Sequence, residues 1–150
     1  MAKFKYRMQS VLNIKEKLEE QAKNDFAAAR IRLNEEEEKL NALKMRKAKY
    51  EEEAILMREG TINIQDLTDN KYALERMEEY IDRQIVEVNK ASSFLESARI
   101  KMTEAMQEAQ IHNRLKEKAF EEFKKDLIAQ ESKEIDELTS YTYGQHKNEV

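Results

Sequence analysis

The chain has no cysteine, no proline and no tryptophan, and only two glycines, Gly60 and Gly144. Without cysteine there is no disulfide framework and no thiol chemistry. Without proline nothing forbids a helix at any of the 150 positions. Long apolar runs are missing as well. Stretches such as FAAA at 26–29 fall far short of the roughly 18–20 residues of a membrane span. The basic stretch MAKFKYRMQS at the N-terminus lacks an apolar segment, so no signal peptide is expected and the simplest location is the cytoplasm. Neither sign of charge dominates. With 27 basic and 31 acidic residues the net charge is −4, and both signs are mixed along the length. The basic cluster KMRKAK at 44–49 has acidic neighbours on both sides, so nucleic acid and direct membrane binding are not expected. There is no phosphate-cradling glycine loop and no nucleophile motif. His112 and His146 are the only histidines, and their spacing does not suit a metal site on facing helices. The acidic runs at 35–38 and 51–53 read as solvated helix faces. No catalytic residue, cofactor, metal or small-molecule substrate is therefore expected.

What remains is a chain that is 39% charged and 40% hydrophobic, the composition of a coiled coil rather than a globule. The apolar residues are periodic. In the first third, one row runs Lys15, Ala22, Ala29, Glu36, Leu43, Tyr50, Met57, and its companion runs Leu12, Glu19, Phe26, Leu33, Leu40, Lys47, Ala54. This alternating three–four spacing is the seam of a coiled coil, interrupted by Lys15, Glu19, Glu36 and Lys47. The rest of the chain carries Leu67, Leu74, Ile81, Val88, Leu95, Met102 and Ala109, beside Met77, Gln84, Ala91, Ala98, Ala105, His112 and Ala119. The alanines imply close approach of a partner helix. A phase slip is expected near Lys116, with apolar residues resuming at Ala119, Phe120, Phe123 and Leu127. Pairs such as Glu19–Lys23 and Glu79–Arg83 support the outer faces.

The two segments meet at MREGTINIQD, residues 57–66. Gly60 can take the left-handed conformation that ends a helix. Asn63 reads as an N-cap, with Asp66 in the first turn of the next helix. The expected fold class is all-α: a long two-helix antiparallel coiled-coil hairpin with a C-terminal helical overhang. Its parts are a helix over about 5–58, a turn at 60–63, a helix over about 64–139 and a disordered tail at 140–150, in one coiled-coil domain. The alternative is one continuous helix that tolerates Gly60 and pairs with another chain. If the chain turns, Met8 lies near Arg114, and the second helix has no intrachain partner beyond about 118. That overhang carries Phe120, Phe123, Leu127, Ile128, Ile135 and Leu138, an exposed apolar stripe of the kind that marks a protein-binding surface.

Two terminal blocks add to this reading. FKYRMQSVLNIKEKLEEQAKNDFAAAR at the start and LKEKAFEEFKKDLIAQESKEIDELTSYTYG near the end, with EG near position 60 between them, resemble the flagellar FliJ family. Phe4, Leu12, Lys15 and Glu16 match its N-terminal pattern, and Leu115, Phe123, Lys133, Asp136 and Glu137 its C-terminal one. The resemblance implies a non-catalytic component of the flagellar type III export apparatus, similar to the stalk of rotary ATP synthases. Such a protein sits within the hexameric export ATPase, helps the ring assemble, and contacts the cytoplasmic domain of the export gate and the export chaperones. It would touch the membrane's cytoplasmic side only through protein partners. By that resemblance the ATPase-facing residues are Leu12, Lys15, Phe120, Phe123, Leu127, Ile135 and Asp136, and the gate-facing ones Leu43, Tyr50 and Met77. Arg46, Ala73 and Tyr80 fall at neighbouring positions of the gate surface but depart in residue type. The equivalent stalk of a virulence-type secretion system and a generic dimeric coiled-coil scaffold remain as alternatives.

Overall fold

In a computed structural model, two helices pack against each other as a hairpin. α1 spans Gln9–Met57 and α2 spans Ile64–Asn148. The structure describes residues 2–148, with side chains from 2 to 145, and there is no strand among them. The side chain of His146 lies outside this range.

The turn follows from two residues. Gly60 has φ of +84°, the only positive φ among the described residues, and a left-handed residue there reverses the chain at little steric cost. Just before it, the Arg58 and Glu59 amides donate to the Ile55 and Leu56 carbonyls at 3.2 and 3.1 Å, tightening the last turn of α1. Asn63 then caps α2. Its Oδ1 accepts from the Gln65 and Asp66 amides at 3.0 and 3.4 Å, and Asp66 places a carboxylate in the first turn. A side-chain acceptor and a negative charge at a helix start both answer its unpaired N–H groups.

By contacts the chain divides into two compact units. One is Glu20–Glu104, and the other joins the residues up to Glu19 to those from Ala105 onward. In the first unit the expected seam rows are the sheltered ones, and Ala29, Met77, Ala91 and Ala98 are buried. The polar seam residues are answered across the hairpin. Gln84 Nε2 donates to the Glu36 carbonyl at 2.9 Å and to its carboxylate. Asn70, buried, donates from Nδ2 to the Tyr50 carbonyl at 2.9 Å. Lys47 reaches Glu78 at 3.6 Å, its stem covering the seam and its head in water. Among the described residues no buried side-chain polar atom is left without a partner, as a thin seam requires, because an unpaired buried group costs about 1–3 kcal/mol.

The second unit is built on Leu12 and Ala109, both 1% exposed. Here the structure corrects four expectations. α1 begins at Gln9, not near residue 5, because the preceding segment leaves the helical path. The Gln9 amide donates to the Tyr6 carbonyl at 3.1 Å, and Phe4 lies against Phe120 and Phe123 with ring centroids 5.1 and 5.4 Å away. Phe123 is therefore half-buried and Phe120 covered on one side only, and the stretch without any cover starts later than 118. Every side chain from 128 to 145 is exposed. The seam does not slip at Lys116, which is itself half-buried in phase with His112 and Ala119. The irregularity comes next, where Ala119, Phe123 and Leu127 follow at two successive spacings of four. Finally, α2 continues to Asn148 where a disordered tail was expected from 140. Thr139 and Thr142 bond their hydroxyls back to the Ile135 and Leu138 carbonyls at 2.8 and 2.9 Å, so neither hydroxyl competes with the helix ladder.

Candidate functional site

The terminal unit contains the expected ATPase-facing residues, Leu12 and Lys15 on α1 and the others spread along α2, in graded exposure. Phe123 and Leu127 are half-buried, and Phe120 is 39% exposed. Tilted ring pairs of this kind prefer edge-to-face contact and contribute about 0.5–1.5 kcal/mol each beyond area burial. Phe4 makes two of them and joins the aromatic cluster, which Lys124 extends with its ammonium 4.5 Å from the Phe120 centroid. Further along α2, Ile128, Ile135, Leu138 and Tyr141 fall on one face at spacings of seven, three and three. All are exposed, Ile135 at 62%. Glu131 and Glu134 interrupt this face, and Asp136 stands exposed on another side of the helix. Lys15 is half-buried on the seam and pairs with Glu108 at 3.4 Å. Glu108 also lies 3.9 Å from His112.

Leu12 does not join this surface. At 1% exposure it offers nothing to a partner while the hairpin is closed, and it acts by packing α1 onto α2. Of the gate-facing set, Met77 is likewise buried at 7%, whereas Leu43 and Tyr50 are half-buried. Leu43 floors an open groove beside Tyr80, Arg83, Gln84, Val86 and Glu87. The hydrogen bond from Gln84 to the Glu36 carboxylate holds that carboxyl below the usual carboxylate range, with Lys39 and Arg32 adding to the effect against partial burial.

The profile of the family described as Flagellar FliJ protein matches residues 4–148. The chain belongs to the flagellar FliJ family. No match was found among curated proteins. Among solved structures the fold is similar to that of CT670 from Chlamydia trachomatis, described as a YscO homologue. The TM-score is 0.77 at 24% identity, with 99% of this chain and 100% of that one covered. FliJ-family membership makes the chain a type III export-apparatus component of a non-catalytic family. No helix among the described residues is long and apolar enough to cross a membrane. The packing roles of two residues escaped the reading of the sequence. Asn70 sits one heptad before Met77 and was legible by that spacing. Phe4 lies outside any helix, where periodicity carries no signal.

Proposed function

We propose that this FliJ-family chain is the stalk-like component of a flagellar export apparatus on the cytoplasmic face of the membrane. Its terminal end binds within the hexameric export ATPase, promotes the ring's assembly and activity, and links the ring to the export gate and substrate chaperones. The observation that carries this is the uncovered apolar face of α2 at Ile128, Ile135, Leu138 and Tyr141, which adjoins the Phe4–Phe120–Phe123 cluster. Burying one Ile or Leu side chain contributes about 1.5–3 kcal/mol, so this face suffices for a specific contact. Lys15, Phe120, Phe123, Leu127, Ile135 and Asp136 form the ring contact, with Leu12 holding it in shape. Leu43 and Tyr50 form the gate contact, supported from beneath by Met77. Hydrolysis is stimulated only as far as the stalk binds one ring state better than another. The chain joins the membrane through these protein partners alone.

The test uses Ile135→Glu, because Ile135 touches no other element and its loss leaves the hairpin intact. Helix content stays unchanged and affinity for the export ATPase falls about tenfold or more, the equivalent of about 1.4 kcal/mol. Undiminished binding refutes the terminal face as the ring contact. A second reading places the chain in a virulence-type secretion system, favoured by the fold shared with a YscO homologue, the type III secretion counterpart of FliJ. The flagellar family profile over residues 4–148 favours the first.

A further inference from the structure

Within the Glu20–Glu104 unit, α2 carries a second three–four row beside its seam. It runs Tyr80, Arg83, Glu87, Lys90, Phe94, Ser97, Lys101. None of these positions is buried, and all but Glu87 are exposed. A row with heptad spacing on the outside of a hairpin has the geometry to receive a further helix. The surface along it is concave. One groove is lined by Val86, Asn89, Lys90, Ser93 and Phe94. The next is a deeper trough of about 210 Å³ at the junction with α1, lined by Ala22, Asp25, Ala28, Phe94, Ser97 and Lys101 among others. Phe94 belongs to both and is 55% exposed. Its ring stands beside a floor of small side chains, a shape that admits one apolar knob from a partner.

The charge along this row is mainly basic, with Arg83, Lys90 and Lys101 against Glu87. Arg83 and Lys101 are exposed and have no ion pair among the described residues. Glu87 is matched by Lys90 at 3.5 Å on the surface, a pairing weak enough to exchange. Asp25 is the carboxylate of the trough and lies on its α1 side. The α2 side is therefore positive in a chain whose net charge is −4.

We propose that this groove docks an acidic amphipathic helix of a partner protein, with its apolar row over Val86 and Phe94 and its carboxylates on Lys90 and Lys101. Val86 and Lys101 are about 22 Å apart along the helix at 1.5 Å per residue, the span of about four turns of the docked helix. The surface lies in the Glu20–Glu104 unit, not in the terminal unit that carries the ATPase reading, and at its Tyr80 end it borders the Leu43 groove, with which it shares Tyr80, Arg83, Val86 and Glu87.

The full chain is titrated by fluorescence anisotropy with a labelled synthetic helix of about 21 residues, roughly 30 Å long, carrying leucine at heptad positions and glutamate on both flanks. Controls are the same peptide with lysine flanks, phosphatidylglycerol vesicles and a single-stranded RNA. The glutamate peptide binds and the controls do not. Phe94→Ala and Lys101→Glu each weaken it about tenfold with unchanged circular dichroism, and Lys101→Glu improves binding of the lysine peptide. Ile135→Glu leaves the affinity as it was, which separates this surface from the terminal one. The proposal is overturned if the two peptides bind alike, if neither binds, if Phe94→Ala and Lys101→Glu bind as the unaltered chain does, or if vesicles or RNA bind instead.

Discussion

Phe4 is the residue on which the N-terminal segment is anchored, and its removal gives the sharpest test of the terminal unit. Phe4→Ala deletes both ring contacts, with Phe120 at 5.1 Å and Phe123 at 5.4 Å. At about 0.5–1.5 kcal/mol per aromatic pair, the loss is about 1–3 kcal/mol. That loss is local, because the segment before Gln9 has no helical ladder of its own. Its hold on α1 is the Gln9 amide on the Tyr6 carbonyl and the Leu12 amide on the Met8 carbonyl, each at 3.1 Å. Opening of this turn therefore becomes roughly 5- to 150-fold more frequent, at tenfold per 1.4 kcal/mol. Native-state hydrogen exchange followed by NMR reads it directly: Gln9 and Leu12 amides exchange faster, while the Leu67 amide near the turn does not. Phe4→Leu, which keeps apolar contact but not the ring pair, falls between. Unchanged exchange at Gln9 would show that the aromatic cluster does not hold the segment. An equal increase at Leu67 would show that the two ends of the hairpin open together.

Four further outcomes follow from the same geometry. Gly60→Ala meets no atom within 4 Å, so its cost is conformational alone, about 1–2 kcal/mol for a left-handed non-glycine residue. It shifts the chain toward a continuous helix and a concentration-dependent dimer by sedimentation. Gly144→Ala, in a helix with open space around it, instead raises helix content, since alanine is favoured there by about 1 kcal/mol. Asn70→Ala removes the bond to the Tyr50 carbonyl and lowers the thermal midpoint by an amount equivalent to about 1 kcal/mol, with Asn70→Leu costing less. For pH, the Glu36 pKa is lowered in the fold, chiefly by Gln84. The stability it adds is present above the unfolded carboxylate pKa and is lost as pH falls through the lower folded value. Denaturation of Glu36→Gln followed across the acidic range therefore shows a smaller loss of stability than the unaltered chain.

Most of the hairpin was legible because its signals are local or periodic. Gly60 and Asn63 mark the turn through conformations and bonds that each residue makes with its own neighbours. The rows from Leu12 to Met57 and from Leu67 to Ala109 are sheltered at the positions that a three–four spacing assigns. Leu12 and Met77 were assigned to partner surfaces by the family resemblance while the row spacing also put them on the seam, and both are buried there. Phe4 was not placed because its role depends on tertiary contact in a non-helical segment. The end of α2 was misjudged because a run of Thr and Tyr has low helix propensity. The hydroxyl bonds that reconcile Thr139 and Thr142 with a helix are visible only in three dimensions.

The most direct test of the stalk reading is ATP hydrolysis by the flagellar export ATPase of the same organism, titrated with this protein at fixed ATPase concentration while hexamer content is followed in parallel. Activity and hexamer content are expected to rise together and saturate, with Ile135→Glu shifting both curves to higher concentration. If neither quantity changes, and the two proteins fail to bind, the terminal face of α2 is not a stalk contact.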